Sequence, residues 1–327
     1  MHHLTHEAVI AACVPHPLLR PPVSVSGGLL HTMYRADTAA GSYAVKVLNP
    51  MIMARREAAD NMRRGEAIAR ALSGVVPAVC AIPAGGDVLR EAGGQYALCY
   101  PWEAGRSVFY PEITPAHCAA MGDLLGRIHG AGLRPDTAEE TSAPEDWAAL
   151  LRCSAGQAWE AALAALLPDC VRWDAAAIRA AECPCAAPVL SHRDLDPKNV
   201  LWQEGWPLVI DWEAAGAVDP CRELLTVLRY WACTPEGTPL TAHAGAFLTA
   251  YRAQKCLAGI PWREVIAAGY SDLLGWLAYN IRRGVGMEAA SAEEMALGQA
   301  QVTATLRTLA AQKETEDAIL ALLKDAG

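Results

Sequence analysis

The chain has 327 residues, 53% of them hydrophobic and 19% charged: enough for one large or two closely packed domains, and too apolar for a disordered chain. Its net charge of −9 at pH 7 argues against nucleic acid as the main partner, which calls for a basic face, and is compatible with a cationic small molecule. Eleven cysteines, spread from Cys13 to Cys256, read as reduced and mostly buried small hydrophobes; the one close pair, Cys183-Pro184-Cys185, lacks the second pair or nearby His of a zinc site.

The N-terminus carries no basic region leading into a long apolar run, and Val9 to Val14 is too short for a signal core. No segment approaches the roughly 20 apolar residues of a membrane span. A cytoplasmic protein with no membrane contact is expected. Val23-Ser24-Val25, Thr32 to Asp37 and Tyr43 to Leu48 are short β-prone runs punctuated by Ser26-Gly27-Gly28 and Ala40-Gly41-Ser42, which predicts a three-stranded meander. Met51 to Leu72 turns helical and ends at Gly74. Val75 to Ile82 and Tyr96 to Tyr100 are expected as two more strands around the Gly85-Gly86-Asp87 turn, completing a five-stranded sheet with one main helix.

Beyond Pro101 the chain becomes almost entirely helical. Thr114-Pro115 caps a helix whose stripe is Cys118, Met121, Leu124, Leu125 and Ile128, ending at Gly130. Further helices are expected over 145–167, 173–182, 221–233, 239–256 and 261–283, with a last one opened by the capping box Ser291-x-x-Glu294. The expected fold class is α+β with two lobes: residues 1–98 as a small lobe with an antiparallel sheet and one main helix, 99–105 as a hinge, and 106–327 as a larger, mostly helical lobe.

The chemistry concentrates in Ser191-His192-Arg193-Asp194-Leu195-Asp196-Pro197-Lys198-Asn199-Val200-Leu201 and in Val209-Ile210-Asp211-Trp212-Glu213. Phosphoryl transfer from a nucleotide needs a carboxylate to accept the hydroxyl proton, and oxygen ligands to hold Mg²⁺ on the phosphates. Asp194 and Asn199 have the spacing of a kinase catalytic loop, and Asp211 follows a short apolar strand. Asp194 is the expected base. Asn199 and Asp211 are the expected metal ligands, an amide and a carboxylate oxygen that suit Mg²⁺. His192 is expected to order the loop. Arg193, Lys198 and Glu213 stay open between a role with phosphate or metal and a local one.

Lys46, one of five lysines against 22 arginines, lies inside an apolar strand and requires an anionic partner. It is the candidate for the phosphates of ATP or GTP, with Glu66, and after it Glu57, as its expected helix partner. The Ser26-Gly27-Gly28 turn would bring backbone N–H groups to phosphate oxygens. Leu98 to Tyr100 would present backbone groups to the adenine edge, with Tyr100 and Trp102 either flanking the base or in the core.

These motifs resemble the aminoglycoside phosphotransferase and choline kinase family, small-molecule kinases with a protein-kinase-like fold. The resemblance runs nearly end to end, through the Gly turn, strand lysine, helix glutamate and hinge, the helix Met121-Gly122-Asp123-Leu124-Leu125-Gly126-Arg127-Ile128-His129, the catalytic loop and Asp211-Trp212-Glu213. It implies Asp194 as base, Asn199 and Asp211 on Mg²⁺, and Lys46 on phosphates. Two positions depart from the pattern. Asp196 stands where family members commonly have His, and Glu66 sits about one residue off the expected spacing.

The alternatives are a metabolic kinase of the choline, ethanolamine or homoserine type, a protein kinase, and a nucleotide-binding regulator without catalysis. About ten residues between Asp211 and the next helix leave no room for a peptide-docking activation segment, and no Ala-Pro-Glu follows. The acceptor is expected to be a small hydroxylated compound, aminoglycoside-like or another amino-sugar or amino-alcohol, with antibiotic resistance as one outcome. A monomer or homodimer is expected. Candidate acceptor contacts are Asp146, Glu160, Asp272, Glu288, Glu293 and Glu294, and the stripe Trp276, Tyr279, Asn280, Arg282 and Arg283.

Overall fold

A computed structural model describes residues 5–25, 31–135, 144–182, 187–289 and 291–325. It divides into two compact units: residues 1–109 with Leu190–Gly216, and Tyr110–Val189 with residues 217–327.

The first unit is built on an antiparallel sheet of order β1-β2-β3-β5-β4: β1 (Val23–Val25), β2 (Thr32–Thr38), β3 (Gly41–Val47), β4 (Arg90–Ala92) and β5 (Gln95–Pro101). Side chains alternate across the pleat, and the two faces have separate cores. Helix α1 (His6–Cys13), opened by a Thr5 cap, places Val9, Ile10 and Cys13 against Val45, Val47, Ala97 and Cys99. On the opposite face Leu98 and Tyr100 join Met62 of helix α3 (Ala58–Leu72), together with Val79, Ala81 and Leu89. Lys46 projects from β3 with that second parity, which sets it on the α3 side.

Two expectations for this unit are corrected. The helical stretch from Met51 divides into a single turn, α2 (Pro50–Met53), and α3. Residues 75–82 do not form a ladder strand. Pro77 inside the run and Pro83 after it lack backbone donors, and the segment is tied piecemeal: Val79 N to Val209 O at 2.9 Å and Val209 N to Pro77 O at 2.8 Å make one parallel bridge, and Ile82 N bonds Cys99 O at 2.7 Å. The fifth strand is β4, after the Gly85-Gly86 turn.

The catalytic-loop segment adds a short strand, β6 (Val189–Ser191), a 3₁₀ turn at Pro197–Asn199, and the hairpin β7 (Val200–Gln203) with β8 (Trp206–Val209). A second 3₁₀ turn, Trp212–Ala214, follows Asp211, and then β9 (Gly216–Val218).

The second unit is helical: α4 (Pro115–Gly130), α5 (Trp147–Cys153), α6 (Glu160–Glu182), α7 (Pro220–Ala232), α8 (Thr241–Arg252), α9 (Trp262–Ala268), α10 (Ser271–Gly284), α11 (Ala292–Glu314) and α12 (Glu316–Asp325). Thr114 and Ser291 cap α4 and α11 as their sequences predict. The expected helices 145–167 and 173–182 are redistributed. The break falls at Gly156, whose φ of 77° ends the helical path, and Pro168 lies inside a continuous α6. Burial of Leu163, Leu166, Cys170 and Trp173 along one face holds that helix together despite the missing N–H. Helix α4 packs on α8 at backbone contact; a Cβ on Gly122 would lie 2.1 Å from the Phe247 carbonyl oxygen. Among the described residues no helix is long and apolar enough to cross a membrane.

Candidate active site

The site forms within the first unit, where β3, the catalytic loop and the turn after β8 meet. Lys46 is 6% exposed. Its Nζ donates to Asp211 Oδ1 at 2.8 Å and to a carboxylate oxygen of Glu213. Burial alone would lower the ammonium's pKa; the charges of Asp211 and Glu213 outweigh burial and hold it above the usual lysine range. Burial acts to raise Asp211 as well, but Lys46 beside it keeps this carboxyl below its ordinary value. Glu213 is raised, by burial first, with Asp211 adding repulsion against the opposing pull of Lys46.

Glu66 is therefore not the partner of Lys46. Its carboxylate accepts from Ala81 N and from the Tyr100 hydroxyl, both at 2.7 Å, and burial pushes its pKa up. From α3 it ties the irregular 75–82 segment and β5 to the helix. Glu57 precedes α3 and supplies it no side-chain cap.

Tyr100 and Leu98 are buried within β5, opposite Ala44 and Lys46. The Leu48 N to Tyr96 O and Trp102 N to Ser42 O bonds bracket this ladder. By antiparallel alternation the Lys46–Leu98 and Ala44–Tyr100 pairs are hydrogen-bonded ones. The backbone groups of Leu98 and Tyr100 thus face β3, and the adenine-edge expectation does not fit them. Trp102, just past the strand, lies under the Arg35 guanidinium at 4.9 Å. Ser26, Gly27 and Gly28 lie outside the described residues.

The loop is ordered from below. His192, fully buried, accepts from Asp194 N at Nδ1 (3.2 Å), and its Nε2 meets Ile210 O at 3.0 Å. Those partners assign the neutral tautomer with hydrogen on Nε2. His192 also packs edge-on against Trp212. Asn199 Nδ2 donates to Asp194 O (2.8 Å) and Asp194 Oδ2 (2.9 Å). Ile210 N donates to Asn199 O at 3.0 Å, so Asn199 sits one residue from Asp211 in space. Asp196 caps the 3₁₀ turn by accepting from Lys198 N at 2.9 Å, and burial raises its pKa. The residue that departs from the family pattern thus has a local structural task.

Backbone strain marks the same place. Among the described residues three non-glycines have positive φ: Glu204 in the β7–β8 turn, and Arg193 (66°) and Asp211 (61°). Arg193 precedes Asp194 and the other is Asp211 itself, both candidate site residues, and such strain persists where the surroundings impose it. Helix α3 presses on the turn after Asp211: a Cβ at Gly65 would stand 2.4 Å from Trp212 O. Gly65 had no signal in the sequence beyond being a glycine inside a helix.

The family model for the phosphotransferase enzyme family matches residues 23–264. The chain belongs to this family. No match is found among curated proteins. Among solved structures, spectinomycin phosphotransferase, in complex with ADP and spectinomycin, is similar with a TM-score of 0.67 at 13% identity, over 94% of this chain and 97% of that one. Amicoumacin kinase in complex with AMP-PNP and Ca²⁺ gives 0.63 at 15%, over 95% and 92%. The ethanolamine kinase of Plasmodium vivax gives 0.59 at 15%, over 87% and 81%. At these identities the likeness shows the fold: this phosphotransferase family member is kinase-like and α+β.

In the second unit, most of the carboxylates singled out for the acceptor have local partners. Asp146 caps α5, Glu160 accepts from Gly156 N, and Glu288 with Glu145 brackets Arg282. Asp272 stands 3.9 Å from Arg222, and Glu294 is 4.0 Å from Arg283. Trp276 and Tyr279 are neighbours, with ring centroids 5.7 Å apart, and Asn280 is fully buried with Nδ2 donating to Trp276 O.

Proposed function

We propose that this family member transfers the γ-phosphate of ATP or GTP to a hydroxyl of a small acceptor, an aminoglycoside-like compound or another amino-sugar or amino-alcohol. The observation that carries this reading is the placement of Asp194, bonded by Asn199 Nδ2, beside an Asp211 that is bonded to Lys46. Asp194 takes the acceptor's proton as its oxygen attacks the γ-phosphorus. The new oxygen–phosphorus bond forms, the bond to the β,γ-bridging oxygen breaks, and the nucleoside diphosphate leaves with that electron pair.

The side-chain bonds of Asn199 and Asp211 run through Asn199 Nδ2 and Asp211 Oδ1, and among the described residues Asn199 Oδ1 and Asp211 Oδ2 accept none. They are hard oxygens on residues joined through the Ile210–Asn199 bond, a donor set that fits Mg²⁺ when phosphate oxygens complete it. Bound there, the ion would neutralise phosphate charge. Lys46 is the proposed phosphate contact, and Asp211 and Glu213 orient it. Helix α7 begins at Pro220, nine residues after Asp211, which favours a small acceptor over a peptide.

The test is ADP release by purified protein with ATP, Mg²⁺ and a panel holding both antibiotics and metabolic amino-alcohols such as choline and ethanolamine. One acceptor is expected to stimulate release well above the rate without acceptor. Asp194→Asn is expected to lose that stimulation while still binding nucleotide. Undiminished turnover in this variant would remove Asp194 from the reaction.

A further inference from the structure

Lys198 has no role in the chemistry above, yet its geometry is specific. Its backbone is held on both sides: its N donates to Asp196 and its O accepts from Ser107 Oγ at 3.2 Å. Its Nζ stands 3.2 Å from Asp194 Oδ2. Asn199 Nδ2 bonds the same oxygen at 2.9 Å. Two consecutive residues of one 3₁₀ turn therefore contact one oxygen of Asp194, and among the described residues Oδ1 accepts no hydrogen bond. The Lys198 and Asp194 side chains are 45% and 34% exposed. Pairs this open to water contribute little to stability, so the lysine is not explained as a structural brace. It is also one of five lysines in a chain with 22 arginines, and with Lys46 the second in this site.

We infer that Lys198 is a positioning residue for phosphoryl transfer: with Asn199 it fixes Asp194 through Oδ2, so that Oδ1 is the atom that receives the acceptor's proton. This rests on the kinase reading. A planar carboxylate held at one oxygen by two donors retains little rotation about χ2, and its second oxygen is presented in one direction. Small misplacements of a reacting group reduce rates by up to about 10²-fold. Nucleotide affinity is set elsewhere and should not follow.

The test compares wild type, Lys198→Met and Lys198→Arg in steady-state ADP release, with thermal melts on all three. Lys198→Met is expected to lower kcat about 10- to 100-fold, with KM for ATP within about twofold and an unchanged Tm; Lys198→Arg, which keeps a cation within reach of Oδ2, is expected to recover part of kcat. A Lys198→Met enzyme with wild-type kcat overturns the inference, as does a change confined to KM for ATP, which would make Lys198 a nucleotide contact. Failure of the kinase reading looks different: wild type itself would release no ADP with any acceptor, and the role of Lys198 would fall with it.

Discussion

At the residue scale, a glutamate and a histidine show how burial and partner choice divide labour around Lys46. Glu66 satisfies a backbone N–H and a tyrosine hydroxyl. Glu66→Ala strands both donors, which costs about 1–3 kcal/mol for each buried group left unsatisfied; a fall in Tm of several degrees is expected by calorimetry, with Lys46 still paired to Asp211 and Glu213. An undiminished Tm would show that Glu66 has no such task. His31 accepts from Asn49 N at Nδ1 and lies 3.4 Å from Glu213. Burial first and the Lys46 charge second lower its pKa to about 4. Because the folded value lies below the unfolded one of about 6.5, its contribution is fully present above pH 6.5 and is lost as pH falls towards 4. Melts from pH 7 to 4 should show a shallower acid decline in His31→Asn than in wild type.

At the element scale, what the sequence made legible was periodicity. The meander, the stripe on α4 and the Thr114 and Ser291 caps were readable because alternation, 3.6-residue spacing and capping chemistry are local. Residues 75–82 have the β-branched content of a strand, but Pro77 within the run and Pro83 after it remove the donors a ladder needs. The stretch 261–283 divides at Gly269–Tyr270, where Tyr270 is fully buried and stacked on Trp173, almost a hundred positions away, with centroids 3.8 Å apart. Close approaches of helices were equally invisible. Gly65→Ala forces α3 off the Trp212 carbonyl; a loss of about 1–3 kcal/mol is expected from overpacking, together with reduced turnover, since that turn follows Asp211 and includes Glu213. Gly122→Ala meets Phe247 O in the second unit and should lower Tm without changing KM for ATP. Measuring Tm and kinetics on both variants separates the two effects.

At the scale of the whole molecule, chain order conceals that Leu190–Gly216 groups with residues 1–109. That grouping is what lets Lys46 meet residues 165 and 167 positions away. The loop motifs carried Asp194, Asn199 and Asp211, because their spacing is set by one turn and one hairpin. The partner of Lys46 was not readable, because it depends on how the loop folds back onto β3. The cysteines follow the compositional reading among the described residues: all nine are free, and burial pushes the thiols of Cys118 and Cys170 up to about 12. Iodoacetamide at neutral pH should modify the exposed Cys256 and leave Cys118 and Cys170 intact until the protein is unfolded, as read by peptide mass spectrometry.

The central claim is transfer of a terminal phosphoryl group with Asp194 as base. It is tested most directly by following the label of γ-labelled ATP in wild type and in Asp194→Asn. Recovery of the label on an organic acceptor with wild type, and its loss in the variant, is the predicted result. Label appearing in pyrophosphate, or on the acceptor equally fast in both proteins, would contradict it.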